Sequence, residues 1–128
     1  MKFLLDTNIL LPILKDELDG IPRHIIAVLE NEIEDCTGTA ASLWEIAIKY
    51  RLGKLDLPCR EEELPAAFAQ MDLPMLPISS AHTVRTVEPW PDTKDPFDRI
   101  MLSICAVEGL RLLTTDKHLK NHPLAWRA

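Results

Sequence analysis

Two features of this 128-residue chain predict an α/β fold with a mainly parallel central sheet. Short apolar runs of β character alternate with longer segments of helical periodicity, the pattern of strands joined by crossover helices. The first and last confident strands also end at acids, Asp6 and Asp116. Open sheets of this kind bind ligands beyond the carboxyl ends of their strands.

The elements follow in order. Lys2 to Leu5 reads as a short buried strand that turns at Asp6-Thr7-Asn8. A helix is predicted from Ile9 to Asp16, and another from Pro22 to Glu34, with Pro22 at the first helical position. In the second, Ile25, Ile26, Leu29 and Ile33 recur at helical spacing. Cys36 to Thr39 reads as a strand, after which Thr39 or Ser42 caps a helix to Leu52, stopped by Gly53. Glu61 to Met71 is the next helix, Met75 to Ile78 the next strand, and Ser79-Ser80 starts a helix through Val87. Pro89 and Pro91 make residues 88–94 a loop. Asp95 then reads as an N-cap, Pro96 as the first helical residue and Asp98 as a first-turn acid of a helix to Glu108, ended by Gly109. Arg111 to Thr114 is the last strand, followed by Asp116 and a turn.

The length suits one domain over residues 1–128 with a single sizeable core. The opening apolar run is too short for a signal peptide, and no stretch approaches the ~20 apolar residues of a membrane span. Cys36, Cys59 and Cys105 are odd in number and unpaired in spacing, so a reduced, cytoplasmic protein is expected. A net charge of -6 argues against a general phosphate-backbone binder, although acids gathered around a metal ion invert the local field.

Four acids interrupt or close apolar stretches: Asp6, Glu45, Asp98 and Asp116. Ionised carboxylates are costly to bury without a positive partner, so such acids are candidate ligands or catalysts. Asp6 and Asp116 also suit caps and turns, and Asp98 suits a helix N-terminus. Glu45 is harder to explain as solvated, because it shares a helical face with Ala41, Ile48 and Leu52. Asp98 likewise shares one with Met101, Leu102 and Cys105, whereas Asp95 reads as a cap. Other chemistries fit less well. His118 and His122 have i, i+4 spacing but lack an intervening glutamate, and read as solvated. The cysteines lack zinc spacing, the glycines form no phosphate loop, and no serine sits in a nucleophile elbow. Trp44, Trp90 and Trp126 read as packing residues, Trp90 least securely.

Four segments, in order, resemble the acidic motifs of the PIN-domain nucleases, in particular the VapC-type toxins. They are Leu5-Asp6-Thr7-Asn8, Ala41-Ser42-Leu43-Trp44-Glu45-Ile46, Asp95-Pro96-Phe97-Asp98-Arg99-Ile100 and Leu113-Thr114-Thr115-Asp116. The resemblance implies a three-layer α/β/α sandwich and an Mg²⁺- or Mn²⁺-dependent endoribonuclease. It further implies the toxin of a toxin–antitoxin pair, with RNA as substrate, a cognate antitoxin as partner, and a homodimer. It assigns Asp6, Glu45, Asp98 and Asp116 as catalytic and metal-binding acids, with Asn8, Ser42 and Thr114 in support and Asp95 beside them as the cap. Asp6 and Asp98 are expected at the principal ion, and Glu45 and Asp116 at waters or a second ion. Lys49, Arg51, Lys54, Arg99 and Lys117 are candidate phosphate contacts. Ile104, Cys105 and a loop without the histidine some relatives carry depart from the family pattern, which bears on substrate preference. The alternatives are a catalytically idle PIN-like interaction module, and another metal-dependent phosphoesterase or DNA nuclease.

Overall fold

The structure, a computed structural model, describes residues 1–127. Its strands are β1 (Phe3–Leu5), β2 (Cys36–Thr39), β3 (Met75–Leu76) and β4 (Arg111–Leu113), in the spatial order β3-β2-β1-β4. Every pairing is parallel, with Leu4 opposite Thr37 and Leu5 opposite Leu113. Six helices connect them: α1 (Thr7–Lys15), α2 (Arg23–Asn31), α3 (Ala40–Arg51), α4 (Leu64–Ala69), α5 (Ser80–Val84) and α6 (Pro96–Glu108).

Successive strand residues point to opposite faces of the sheet, and each face has its own apolar cluster. Phe3, Leu5 and Leu113 pack with Ile9, Ile25, Ile46 and Phe68 on one side. Leu4 and Leu112 pack with Met101, Leu102, Ile104 and Leu119 on the other. Burial on both faces explains why the strands read as unbroken apolar runs. Each fully buried aliphatic side chain contributes about 1.5–3 kcal/mol. The result is a three-layer α/β/α sandwich, as expected.

Several element ends differ from the sequence reading, for local reasons. The first helix starts two residues early because Asp6 caps it, accepting the Thr7 N–H. Pro22 is the N-cap of α2 rather than its first residue, and the helix stops at Asn31 before a 3₁₀ turn at Ile33–Asp35. The helix expected over 61–71 splits into a 3₁₀ turn, Glu61–Glu63, and α4, where Pro65 falls in the first turn and needs no N–H partner. Pro77 cannot donate to a ladder, so β3 ends at Leu76. The following helix ends at Val84, where Arg85 turns extended. Of the two candidate caps for α3, Thr39 takes the role.

Two further readings are corrected. His122 is buried, not solvated: its Nδ1 accepts the Leu124 N–H, so Nε2 carries the proton donated to the Pro89 carbonyl. Trp126 does pack, edge-on to Phe3 at 5.4 Å, but Trp44 and Trp90 are 60% and 64% exposed. Among the described residues no helix is long and apolar enough to cross a membrane.

Candidate active site

A parallel sheet delivers all its strand ends to one edge, and here that edge is lined with hydroxyls and acids. Asp6 follows β1 directly, its N–H donating to the Leu113 carbonyl of β4. Its side chain is 4% exposed and held at both oxygens. The Thr7 N–H donates to Oδ1 at 2.7 Å and the Thr114 hydroxyl donates to Oδ2 at 2.6 Å. Thr114 also accepts the Asp116 N–H at 3.0 Å, which fixes the turn after β4.

Glu45 reaches the same edge from α3 and is 6% exposed. The Thr7 hydroxyl donates to its Oε1 at 2.6 Å and stands 2.9 Å from Ser42 Oγ. Its other oxygen accepts from the Lys49 ammonium at 2.7 Å, one helical turn on. Asp98, in the first turn of α6, is buried and accepts from the Thr93 hydroxyl at 3.0 Å. Asp116 is half-buried and accepts the His118 N–H at 2.7 Å, a local turn contact. Asp95 is exposed and caps α6 through the Phe97 N–H, as expected.

The electrostatics tie these acids together. Burial, above all, raises the Asp6 carboxyl from its ordinary 3.8 to about 7. The Thr114 hydrogen bond opposes the rise, and the charges of Asp98 and Glu45 add to it. Asp98 is raised to about 6 by burial first, then by Asp95, Asp116 and Glu45, against the pull of Thr93. Lys49 is raised by its bond to Glu45 and by the charges of Glu45, Asp95 and Asp98, while burial opposes the rise. Asp6, Glu45 and Asp98 are therefore electrostatically coupled, and Asp116 joins them through Asp98.

They do not close a cage. Among the described residues no group of three acidic, histidine or cysteine side chains converges tightly enough to grip one ion. A hard divalent cation nonetheless fits this donor set. Every candidate atom is an oxygen, and Mg²⁺ binds through one or two carboxylates plus waters rather than through an all-protein cage. Buried acids repelling one another lack a positive charge, which Lys49 supplies only at Glu45. Asn8 Oδ1, in the first turn of α1, is buried without a hydrogen-bond partner among the described residues and offers one more hard oxygen.

The sequence reading left Thr7 and Thr93 without a role and offered Lys49 as a phosphate contact, whereas the Lys49 ammonium pairs with Glu45. Thr7 and Thr93 carry no pattern that marks them, since small hydroxyls are common in turns. Lys49 had a signal: Glu and Lys at i, i+4 form a favoured helical pair.

The sheet order and its acid-lined carboxyl edge place the molecule among parallel α/β proteins that gather carboxylates beyond their strand ends. The PIN domain family model matches residues 3–123, and the chain belongs to that family, whose members are generally metal-dependent nucleases. No curated protein matches the chain.

Proposed function

We propose that this PIN-domain protein, one domain over residues 1–128, is an Mg²⁺- or Mn²⁺-dependent endoribonuclease. The observation that carries the reading is Asp6, a deeply buried acid at the end of the central strand, whose ionisation is opposed by burial and by neighbouring acids. Asp6 and Asp98 would hold the ion, with Asn8 offering a further oxygen. Glu45 is already neutralised by the Lys49 ammonium and suits the outer role of placing water. Asp116 stands one turn beyond Thr114 and fits the same outer role. A divalent cation there supplies charge neutralisation at the scissile phosphate and lowers the pKa of an attacking water. The Thr114 hydroxyl favours the charged form of Asp6 against burial, Thr93 does so for Asp98, and Ser42 backs the Thr7 hydroxyl.

We assign it further as the cytoplasmic toxin of a toxin–antitoxin pair. Its cognate antitoxin would bring an Arg or Lys to the acidic edge, and the toxin itself would be a homodimer. The test is cleavage of defined RNAs, with DNA and small phosphoesters in parallel, by wild type and Asp6→Asn across a range of Mg²⁺ and Mn²⁺. Metal-dependent RNA cleavage that vanishes in the variant is expected. An undiminished rate in Asp6→Asn sinks the assignment.

Two observations favour a second reading, an idle interaction module: Lys49 already neutralises Glu45, and among the described residues no three of the acids close on one ion. That reading requires no cleavage of any substrate at any metal concentration.

A further inference from the structure

Beside the acids lies a second cleft of a different character, about 430 Å³ in volume, with Trp90, Thr93, Lys94, Arg99 and His118 in its walls and Asp92 as its one acid. It shares walls with the candidate active site. Thr93 lines the cleft and donates its hydroxyl to Asp98. His118 lines it and donates its backbone N–H to Asp116. In a chain of net charge -6, this places cations directly next to the acidic edge.

The cleft is preformed. Val87 and Pro91 are buried, and His122 Nε2 holds the Pro89 carbonyl at 3.0 Å. Thr93 accepts the Asp95 N–H while bonding Asp98. Trp90 thus projects from a segment pinned on both sides. The Arg99 guanidinium lies over the Trp90 ring, 4.7 Å from its centroid, fixed there by Nε donating to the Thr93 carbonyl at 2.7 Å. The terminal nitrogens of Arg99 make no hydrogen bond among the described residues, so they are free to meet an anion. Arg99 covers part of an indole that is still 64% exposed.

An open aromatic face beside a positioned guanidinium and a lysine is the combination that binds unpaired nucleic acid. Bases stack on the ring and phosphates pair with the cations. We propose that this cleft binds a nucleotide of single-stranded substrate adjoining the cleavage point, its base on Trp90 and its phosphate on Arg99 and Lys94. The inference rests on the nuclease reading for the identity of the strand, and on the cleft alone for the binding.

The test is binding of a labelled single-stranded RNA, its DNA counterpart and the RNA duplex, in EDTA so that no strand is cut. Wild type, Trp90→Ala, Trp90→Phe and Arg99→Met are compared, each checked for an unchanged melting temperature. Loss of one stacked base weakens single-strand binding by roughly 5- to 150-fold in Trp90→Ala, while Trp90→Phe stays near wild type and duplex binding is unaffected. Arg99→Met reduces the salt dependence of log affinity by about 0.7. Equal loss on RNA and DNA assigns the cleft to base and phosphate alone, and a larger loss on RNA adds a contact to the ribose hydroxyl. Equal affinity of wild type and Trp90→Ala for every single strand overturns the proposal, including the case in which Trp90 instead serves a protein partner. Absence of single-strand binding by wild type at low salt also overturns it. Trp90-dependent binding by a protein that cleaves nothing retains the cleft and refutes the nuclease reading.

Discussion

At the scale of single residues, Asp6 is both a helix cap and the acid least willing to ionise, two roles that appeared as competing explanations in the sequence. The structure makes them compatible, because the Thr7 N–H and the Thr114 hydroxyl each take one oxygen. Asp6→Asn keeps the cap and removes a charge that burial opposes. It is expected to melt higher than wild type at pH 8 without metal, as scanning calorimetry would show, and to lose divalent-ion binding. Lys49→Met should act in the opposite sense. Leaving Glu45 without its counter-ion lowers the metal-free melting temperature and tightens Mn²⁺ binding by titration calorimetry. Equal Mn²⁺ affinity in the two proteins would show that Lys49 has no influence on the site. The acids were legible at this scale because a charge inside an apolar run is conspicuous. Thr7, Thr93 and Trp90 were not, since only tertiary placement makes a common hydroxyl a buried donor or leaves an indole exposed.

At the scale of elements, the sequence specified which segments are helices and strands better than where they stop. Periodicity is a property of many residues, but an end is decided by a few, such as Pro65 and Pro77. Asp95 and Asp98 stand in one turn of one helix with different tasks, and substitution separates them. Asp95→Ala removes the cap and costs about 0.5–2 kcal/mol, leaving Mn²⁺ affinity nearly intact. Asp98→Ala loses that affinity while α6 keeps its cap. Denaturant unfolding and metal titration of the pair decide it. In β2, a Cβ added at Gly38 would meet the flexible end of Met75, with Sδ at 2.5 Å, and press on Leu10 Cδ1 at 3.3 Å, so the methionine must swing aside. Gly38→Ala should cost no more than about 1 kcal/mol of unfolding free energy, the low end of overpacking, and less still if Met75 is also shortened to alanine.

At the scale of the whole molecule, the acids make stability depend on pH. Asp6 and Asp98 have folded-state values near 7 and 6, both above the ordinary 3.8. Groups shifted upward favour the fold fully below their unfolded value and lose that contribution as pH rises through the folded one. The metal-free protein should therefore melt progressively lower from pH 4 to pH 7.5, and added Mn²⁺ should restore more stability at each step, since the ion binds the ionised acids. A flat metal-free profile would show that the acids carry no such cost. The fold class was legible in the sequence because both-face burial writes apolar strands plainly. The meeting of the acids was not, because it depends on β1 pairing with β4 and on contacts such as Thr114 to Asp6, 108 positions apart.

The central strand has a consequence in time as well as in space. β1 is flanked by β2 and β4, and Leu4 and Leu5 are wholly buried between the two clusters. Amides so enclosed exchange with solvent only when the entire domain opens. Asp6 is attached to that segment and bonded to β4 through its own N–H. Its backbone is therefore tied to the global stability of the fold. Exchange at Leu4, Leu5 and Asp6 should report global unfolding, and a ligand that satisfies the charge of Asp6 should slow all three amides together.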